Sequence, residues 1–159
     1  MKRTTGQQTW LLILRLAIGW HLLYEGLSKL TNPSWSSAAY LMDSEGFLKG
    51  FYEWMAGSPG ILKIIDFMNI WGLIAIGLGI FIGMFTRVAI IAGIVLLSIY
   101  YLSHPPFFGL QYSFPTGGSY LFVNNILIEI FALAVLVQFP TQFEYGIDKF
   151  ICKAPKNEH

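Results

Sequence analysis

Apolar residues in this chain come in long blocks rather than in alternation with polar ones. A hydrocarbon layer about 30 Å thick takes about 20 mainly apolar residues of helix to cross. Four blocks meet or approach that length, and they predict spans at 9–30, 64–85, 88–103 and 120–139. Strands of a β-barrel would alternate apolar and polar positions, and the run from 70 to 85 does not. The expected fold class is all-α: an integral membrane four-helix bundle that forms a single domain over 1–159. Ser58 is the expected N-cap of the second span, with Pro59 at its first helical position.

The connections differ in kind. A very short turn around Thr86 and Arg87 makes the second and third spans antiparallel neighbours. The connection between the first two spans is long and amphipathic, with Phe47, Phe51, Trp54 and Met55 at helical spacing and Lys49 and Glu53 between them. Such a segment lies in the membrane interface, its aromatic face in lipid or against the bundle. The stretch His104-Pro105-Pro106-Phe107-Phe108-Gly109 is not helical at its prolines. Ala75, Gly79 and Gly83, then Ala89 and Gly93, are small residues four apart that let helices approach closely within the bundle or a homo-oligomer.

Composition agrees with the pattern. Charged residues make up 12% of the chain, against about 25% in an ordinary soluble domain. The net charge is +1 and no basic stripe exists, so nucleic acid is not an expected partner. Cys152 is the sole cysteine, which excludes an internal disulfide, a CxxC pair and a cysteine-based metal site. Met1-Lys2-Arg3 before an apolar block is superficially like a signal peptide, but the block is long, carries charges and lacks a small-residue cleavage site, so a retained first helix is expected. With the N-terminus inside, Lys2, Arg3, Arg87, Lys149, Lys153 and Lys156 lie on the inner side and Lys29, Lys49 and Lys63 on the outer. That distribution predicts both termini in the cytoplasm and a multi-pass protein of the cytoplasmic (inner) membrane. Cys152 then meets a reducing compartment.

An ionisable side chain within a span costs about 2.5–3.5 kcal/mol, so each one needs a reason. The first span holds Arg15, His21 and Glu25, with Lys29 at its rim; the last three follow i, i+4, i+8 along one slowly rotating stripe. Arg15 differs from Lys29 by about 40° in azimuth, which puts the whole set on one side. In the fourth span, Asn125 and Glu129 share a face beside Asn124. Glu25, Lys29, Asn124 and Asn125 fall near the outer rim, with His21 and Glu129 about 12–14 Å below it. Tyr100, Tyr101 and His104 reach the same outer level. Singly, each of these residues reads better as structural, for example Glu25–Lys29 as a rim ion pair or Arg15–Glu129 as a buried one. Together they read as a site, because four intramembrane charges exceed what packing needs. His21, Glu25 and Glu129 are the candidate catalytic residues; Arg15, Lys29, Tyr100, Tyr101, His104, Asn124 and Asn125 are the candidate cofactor-binding residues. A metal site is not expected, and a haem between His21 and His104 fits poorly because His104 precedes Pro105. The set suits a small amphipathic molecule entering from lipid, such as a quinone, whose oxygens a His, Glu or Tyr can hydrogen-bond.

Several short pieces, in order, resemble the DoxX family of small four-helix membrane proteins. They are Arg15-Leu16, Gly19, Gly26 and Lys29-Leu30; Gly79, Gly83, Thr86 and Arg87; and His104-Pro105-Pro106-Phe107, Tyr120-Leu121, Val123-Asn124, Leu127-Ile128-Glu129 and Ala132. The resemblance implies a bundle related to the membrane subunit of thiosulfate:quinone oxidoreductase and to accessory redox subunits grouped with thiol- or superoxide-handling partners. Asn125 stands where the family pattern leads us to expect a Lys, which argues against an anionic substrate such as thiosulfate. The expected function is a small membrane subunit of an oxidoreductase system that binds a quinone-like lipid in its outer half. The competing readings are a scaffold that docks a partner protein through its outer loops and a small transporter or channel subunit. The chain has few helices for an inverted-repeat transporter.

Overall fold

The computed structural model describes residues 4–45, 47–107, 110, 112–113 and 121–151, the side chains of Gln142 and Ile151 aside. Lys2, Arg3, Phe108, Gly109, Tyr120, Cys152, Lys153 and Lys156, on which some of the expectations above rest, lie outside the described residues. Among the described residues all regular structure is helical: α1 (Thr5–Leu30), α2 (Ala38–Met42), α3 (Lys49–Gly57), α4 (Pro59–Ile82), α5 (Thr86–Ser103), α6 (Asn125–Gln138), α7 (Gln142–Tyr145) and α8 (Asp148–Ile151).

Local chemistry sets these limits. Thr4 and Gln7 form a capping box at the start of α1: the Thr4 hydroxyl accepts the Gln7 N–H at 3.3 Å, and Gln7 Oε1 accepts the Thr4 N–H at 2.9 Å. Helix α1 ends before Asn32-Pro33, since the residue preceding a proline avoids the helical region. Helix α4 starts at Pro59, with Ser58 at the N-cap position as expected. The Ser58 hydroxyl does not cap it, however, and donates instead to Trp54 O at 3.1 Å. Gly83 closes α4 at φ 74°, in the left-handed region. The turn to α5 is Gly83-Met84-Phe85, so Thr86 and Arg87 open α5 rather than forming the turn.

Of the fourth expected span, 120–139, the described residues are helical over Asn125–Gln138. Asn124 ends it early, by accepting the Leu127 N–H at 3.0 Å as an N-cap. Among the described residues, three helices are long and apolar enough to cross a membrane: α1, α4 and α5. Helix α6 is apolar but spans only about 21 Å at 1.5 Å per residue.

Helices α1, α4, α5 and α6 pack in a ring, each against the next and α6 back onto α1. Their shared core holds Leu22 of α1, Leu73 and Ile80 of α4, Ile90 and Leu97 of α5, and Leu133 and Leu136 of α6. The tightest crossing is α1 on α4. A Cβ at Gly19 would lie 2.7 Å from the Phe81 nitrogen, one at Gly26 2.9 Å from the Ile74 nitrogen, and one at Gly77 2.6 Å from the Leu23 Cα. These glycines let backbones meet where no solvent-driven force assembles helices. Of the small residues expected to do this, Gly79 packs on Ala89 and Gly93 on Ile76 and Leu133, while Ala75 is exposed. The outward surface is the reverse of a soluble protein's: Trp10, Trp20, Phe67, Trp71, Val95 and Phe131 all face out.

Candidate functional site

The expected site residues fall into three groups. The first lies at the end of the bundle where α1 begins. Arg15 is fully buried there and donates to Thr141 Oγ1 at 3.0 Å and to Tyr145 O at 2.7 Å. Asp148 is buried close by, and its oxygens accept the N–H groups of Phe85 and Thr86 at 2.7 and 2.9 Å. The segment also continues the end of α4, through Ile147 N to Ile82 O and Asp148 N to Gly83 O. Arg15 therefore ties α1 to the segment after α6 and does not pair with Glu129. The shared azimuth with Lys29 was real, but 14 residues of helix put the two about 21 Å apart along the axis.

The second group lies at the other end, where α1 and α5 finish. Lys29 Nζ sits 3.2 Å from Glu25 Oε1, the expected rim pair, and donates to Asn69 Oδ1 at 3.0 Å. It lies 5.0 Å from the centre of the Trp35 ring and 5.6 Å from that of Tyr100, within cation–π range. Asn69 in turn donates to the Tyr100 hydroxyl at 2.6 Å. His104 is buried rather than at an open rim: it stacks on Tyr40 at 3.9 Å and meets Tyr112 at 4.7 Å. Its Nδ1 lies 3.0 Å from Ser103 Oγ, and its Nε2 lies 3.5 Å from Asp43 Oδ2 without a hydrogen bond. Burial pulls the His104 pKa below its ordinary value, and the nearby Asp43 charge opposes that only in part. Burial likewise pushes the Tyr40 hydroxyl up. Tyr101 donates to Phe122 O at 2.7 Å, and Asn124 is the N-cap of α6, so both have structural partners.

Between these ends lies the third group. Glu129 stands four residues before Leu133 and seven before Leu136, so it shares the core face of α6. It meets His21 of α1, whose Nδ1 lies 2.9 Å from Glu129 Oε1. The pair is lopsided: the Glu129 side chain is 14% exposed and that of His21 is 61% exposed. With Nδ1 turned to Glu129, His21 Nε2 faces outward and has no partner among the described residues. Glu25 lies one turn along α1, and Asn125 one turn before Glu129, its Oδ1 on the Ile126 N–H at 3.0 Å. His21 and His104 share no partner. Among the described residues, no three His, Cys, Asp or Glu side chains are grouped to hold a metal ion.

Compared with known protein families, residues 10–106 match DoxX, which is more than half of the chain. The chain belongs to the DoxX family. No curated protein and no solved structure gives a match. With three apolar helices of spanning length, this DoxX protein is a multi-pass membrane protein. The matched region contains His21, Glu25, Lys29 and His104 but ends before α6, so Glu129 lies beyond it.

Asn69, Tyr40, Asp43 and Asp148 shape these groups and were not singled out from the sequence. Asn69 had a signal, as a polar residue inside the apolar α4. So did Asp66, whose carboxylate accepts from Ser36 Oγ, Ser37 N and Ser37 Oγ and ties the long connection to α4.

Proposed function

We propose that this DoxX protein is a membrane subunit of an oxidoreductase system and that the His21–Glu129 pair holds a quinone-like lipid between α1 and α6. One observation carries the reading. A histidine stands on the lipid-facing flank of a spanning helix, bonded at Nδ1 to an inward carboxylate, with Nε2 open. Ionisable groups there are costly, and this pair exposes rather than hides its polar end. The adjacent Trp20 of α1 and Ile128 of α6 are exposed apolar side chains, and Nε2 offers a hydrogen bond to a ring oxygen. The quinone class supplies two-electron redox chemistry when bound. The protein's part is to orient the ring through His21, to hold or pass a proton between His21 and Glu129, and to set the charge through Glu25 and Lys29. Arg15, Tyr101, His104 and Asn124 have no direct part in this reading. The Lys and Arg distribution supports both termini on the cytoplasmic side of the inner membrane, with the pair in the outer half.

Native mass spectrometry of the protein in mild detergent, with released lipids identified, tests the proposal. A bound quinone whose occupancy falls in His21→Ala and Glu129→Gln is the expected result. Equal occupancy in the variants, or a wild-type protein that neither carries nor takes up a quinone, removes it. A stoichiometric polypeptide in place of the lipid would favour a docking scaffold.

A further inference from the structure

The end of α5 leaves the Ser103 carbonyl without an intrahelical partner, while Tyr100 O already accepts the His104 N–H at 3.1 Å, and three hydroxyls from the connection between α1 and α4 reach this part of the helix. Tyr52 donates to Ile99 O at 3.2 Å, Tyr40 to Tyr100 O at 3.4 Å and Ser44 to Ser103 O at 2.7 Å. A spanning helix does not end in lipid with a bare carbonyl: Ser44 supplies the partner that Ser103 O lacks, and the Tyr52 and Tyr40 bonds add to carbonyls beside it. They also fix the level of the connection. Ile99 lies four residues before the end of α5, about 6 Å inside it.

Helix α3 is therefore held against the side of the bundle, not above it. Tyr52 is its buried residue, while Phe47, Phe51 and Trp54 all point away from the bundle. The Phe51 and Trp54 rings stack with centres 6.1 Å apart, which makes one continuous aromatic face. Helix α3 packs on α4, and the spans also carry outward apolar side chains, Ile64 and Phe67 of α4 and Ile99 of α5. Lys49, at the first position of α3, pairs with Glu45, which precedes the helix, at 2.9 Å on a partly exposed edge. An aromatic face, a charged edge and a depth one turn inside the end of a spanning helix describe the headgroup–acyl boundary.

We infer that α3 with the residues just before it is an interfacial anchor whose Phe47, Phe51 and Trp54 insert into the lipid of the leaflet at the Leu30 end of α1. The sequence left open whether this face meets lipid or the bundle; its outward direction excludes the bundle. The choice between lipid and a partner protein follows from depth. Tyr52, Tyr40 and Ser44 pin the face at the level of the spans, whose own outward residues Ile64, Phe67 and Ile99 are apolar.

The test reads the depth of Trp54 in the full-length protein in phosphatidylcholine–phosphatidylglycerol vesicles. The difference in fluorescence between wild type and Trp54→Phe isolates this one indole. Lipids brominated near the carbonyl end of the acyl chain are expected to quench that difference more strongly than lipids brominated near the methyl end, and aqueous acrylamide is expected to leave it nearly unchanged. Trp20, ten residues before the end of α1, serves as the deep reference and gives the opposite order among the brominated lipids. Quenching by acrylamide would overturn the inference by placing Trp54 in water. An indole that neither quencher reaches would overturn it too, by placing a polypeptide over the face. If Trp54→Phe fails to fold, a nitroxide on Phe51→Cys in a Cys152→Ser background gives the same answer: faster collision with oxygen than with a water-soluble nickel chelate supports the anchor, and the reverse order refutes it.

Discussion

The Asp148 carboxylate accepts the backbone N–H of Thr86 at 2.9 Å, so the segment after α6 caps a helix that starts 62 residues earlier. Phe85, the residue at the N-cap position, is apolar and held at φ 48°, so it offers no side-chain acceptor of its own. Asp148 supplies what that position lacks, and its negative charge suits the positive end of α5. Arg15 stands behind it, with both terminal nitrogens spent on Thr141 and Tyr145.

Asp148→Ala removes two charge-assisted hydrogen bonds and leaves the Phe85 and Thr86 N–H groups unpaired. The expected loss is about 2 kcal/mol. Thermal unfolding in detergent, followed by circular dichroism, measures it. Asp148→Asn keeps one acceptor and is expected to lose less. An unchanged midpoint for Asp148→Ala would mean that the segment does not hold the α4–α5 turn.

The α1–α4 crossing makes a paired prediction. A methyl at Gly77 meets the Leu23 backbone, which cannot swing aside as a side-chain end can. Gly77→Ala is expected to destabilise by about 1–3 kcal/mol through overpacking. Gly72→Ala, on the same helix with nothing near its Cβ, is expected to change stability by less than about 0.5 kcal/mol. Equal midpoints for the two variants would show that the close approach is not maintained in the membrane.

Which features were legible in the sequence follows from the range of the interactions behind them. Pro59 and the apolar run after it marked α4, because a proline at the first helical position and hydropathy act within one helix. The place of Lys29 in the last turn of α1 and its pairing with Glu25 were legible for the same reason, the two being four residues apart on α1. Azimuth alone misled for Arg15. It gave the right face, but its partners Thr141 and Tyr145 come from a segment with no periodic pattern to announce it. The short α6 depended on one side chain, Asn124, turning back to cap Leu127 rather than facing a ligand. The sequence put Glu129 on a face with Asn125 and at the level of His21, yet did not pair the two, since the rotation of α1 against α6 is decided only by packing.

His104 sets a pH dependence on the end of the bundle where α5 finishes. Its folded pKa is depressed by burial, so the native state favours the neutral ring. Above the ordinary value of about 6.5 both folded and unfolded forms are neutral, and the stability is fully present. As pH falls below that value, the unfolded chain takes up a proton that the folded chain resists, and stability drops until the folded pKa is passed. Asp43 partly counters the depression, so Asp43→Asn is expected to steepen the loss. The comparison is the unfolding midpoint between pH 8 and pH 5 for wild type and His104→Gln. A wild-type slope in excess of that of His104→Gln is the expected outcome; parallel slopes would mean that His104 titrates as freely as in the unfolded chain.

The His21–Glu129 pair separates structural from functional cost through a double-mutant cycle. Replacing His21 with Leu leaves an inward carboxylate on the core face of α6 with no partner, at an expected cost of about 1–3 kcal/mol. Replacing both residues with Leu removes the stranded carboxylate as well and is expected to recover most of that stability, since a buried pair is often no better than an apolar one. Quinone occupancy is expected to follow the opposite logic: lost in His21→Leu and still lost in the double variant, because no hydrogen-bonding group remains to meet the ring. Thermal unfolding and lipid mass spectrometry on the same four proteins supply both readouts. Occupancy that returned together with stability would mean that the pair supports only the packing of α1 on α6. Stability restored with occupancy absent would assign the polar pair to the ligand, because the fold alone does not need it.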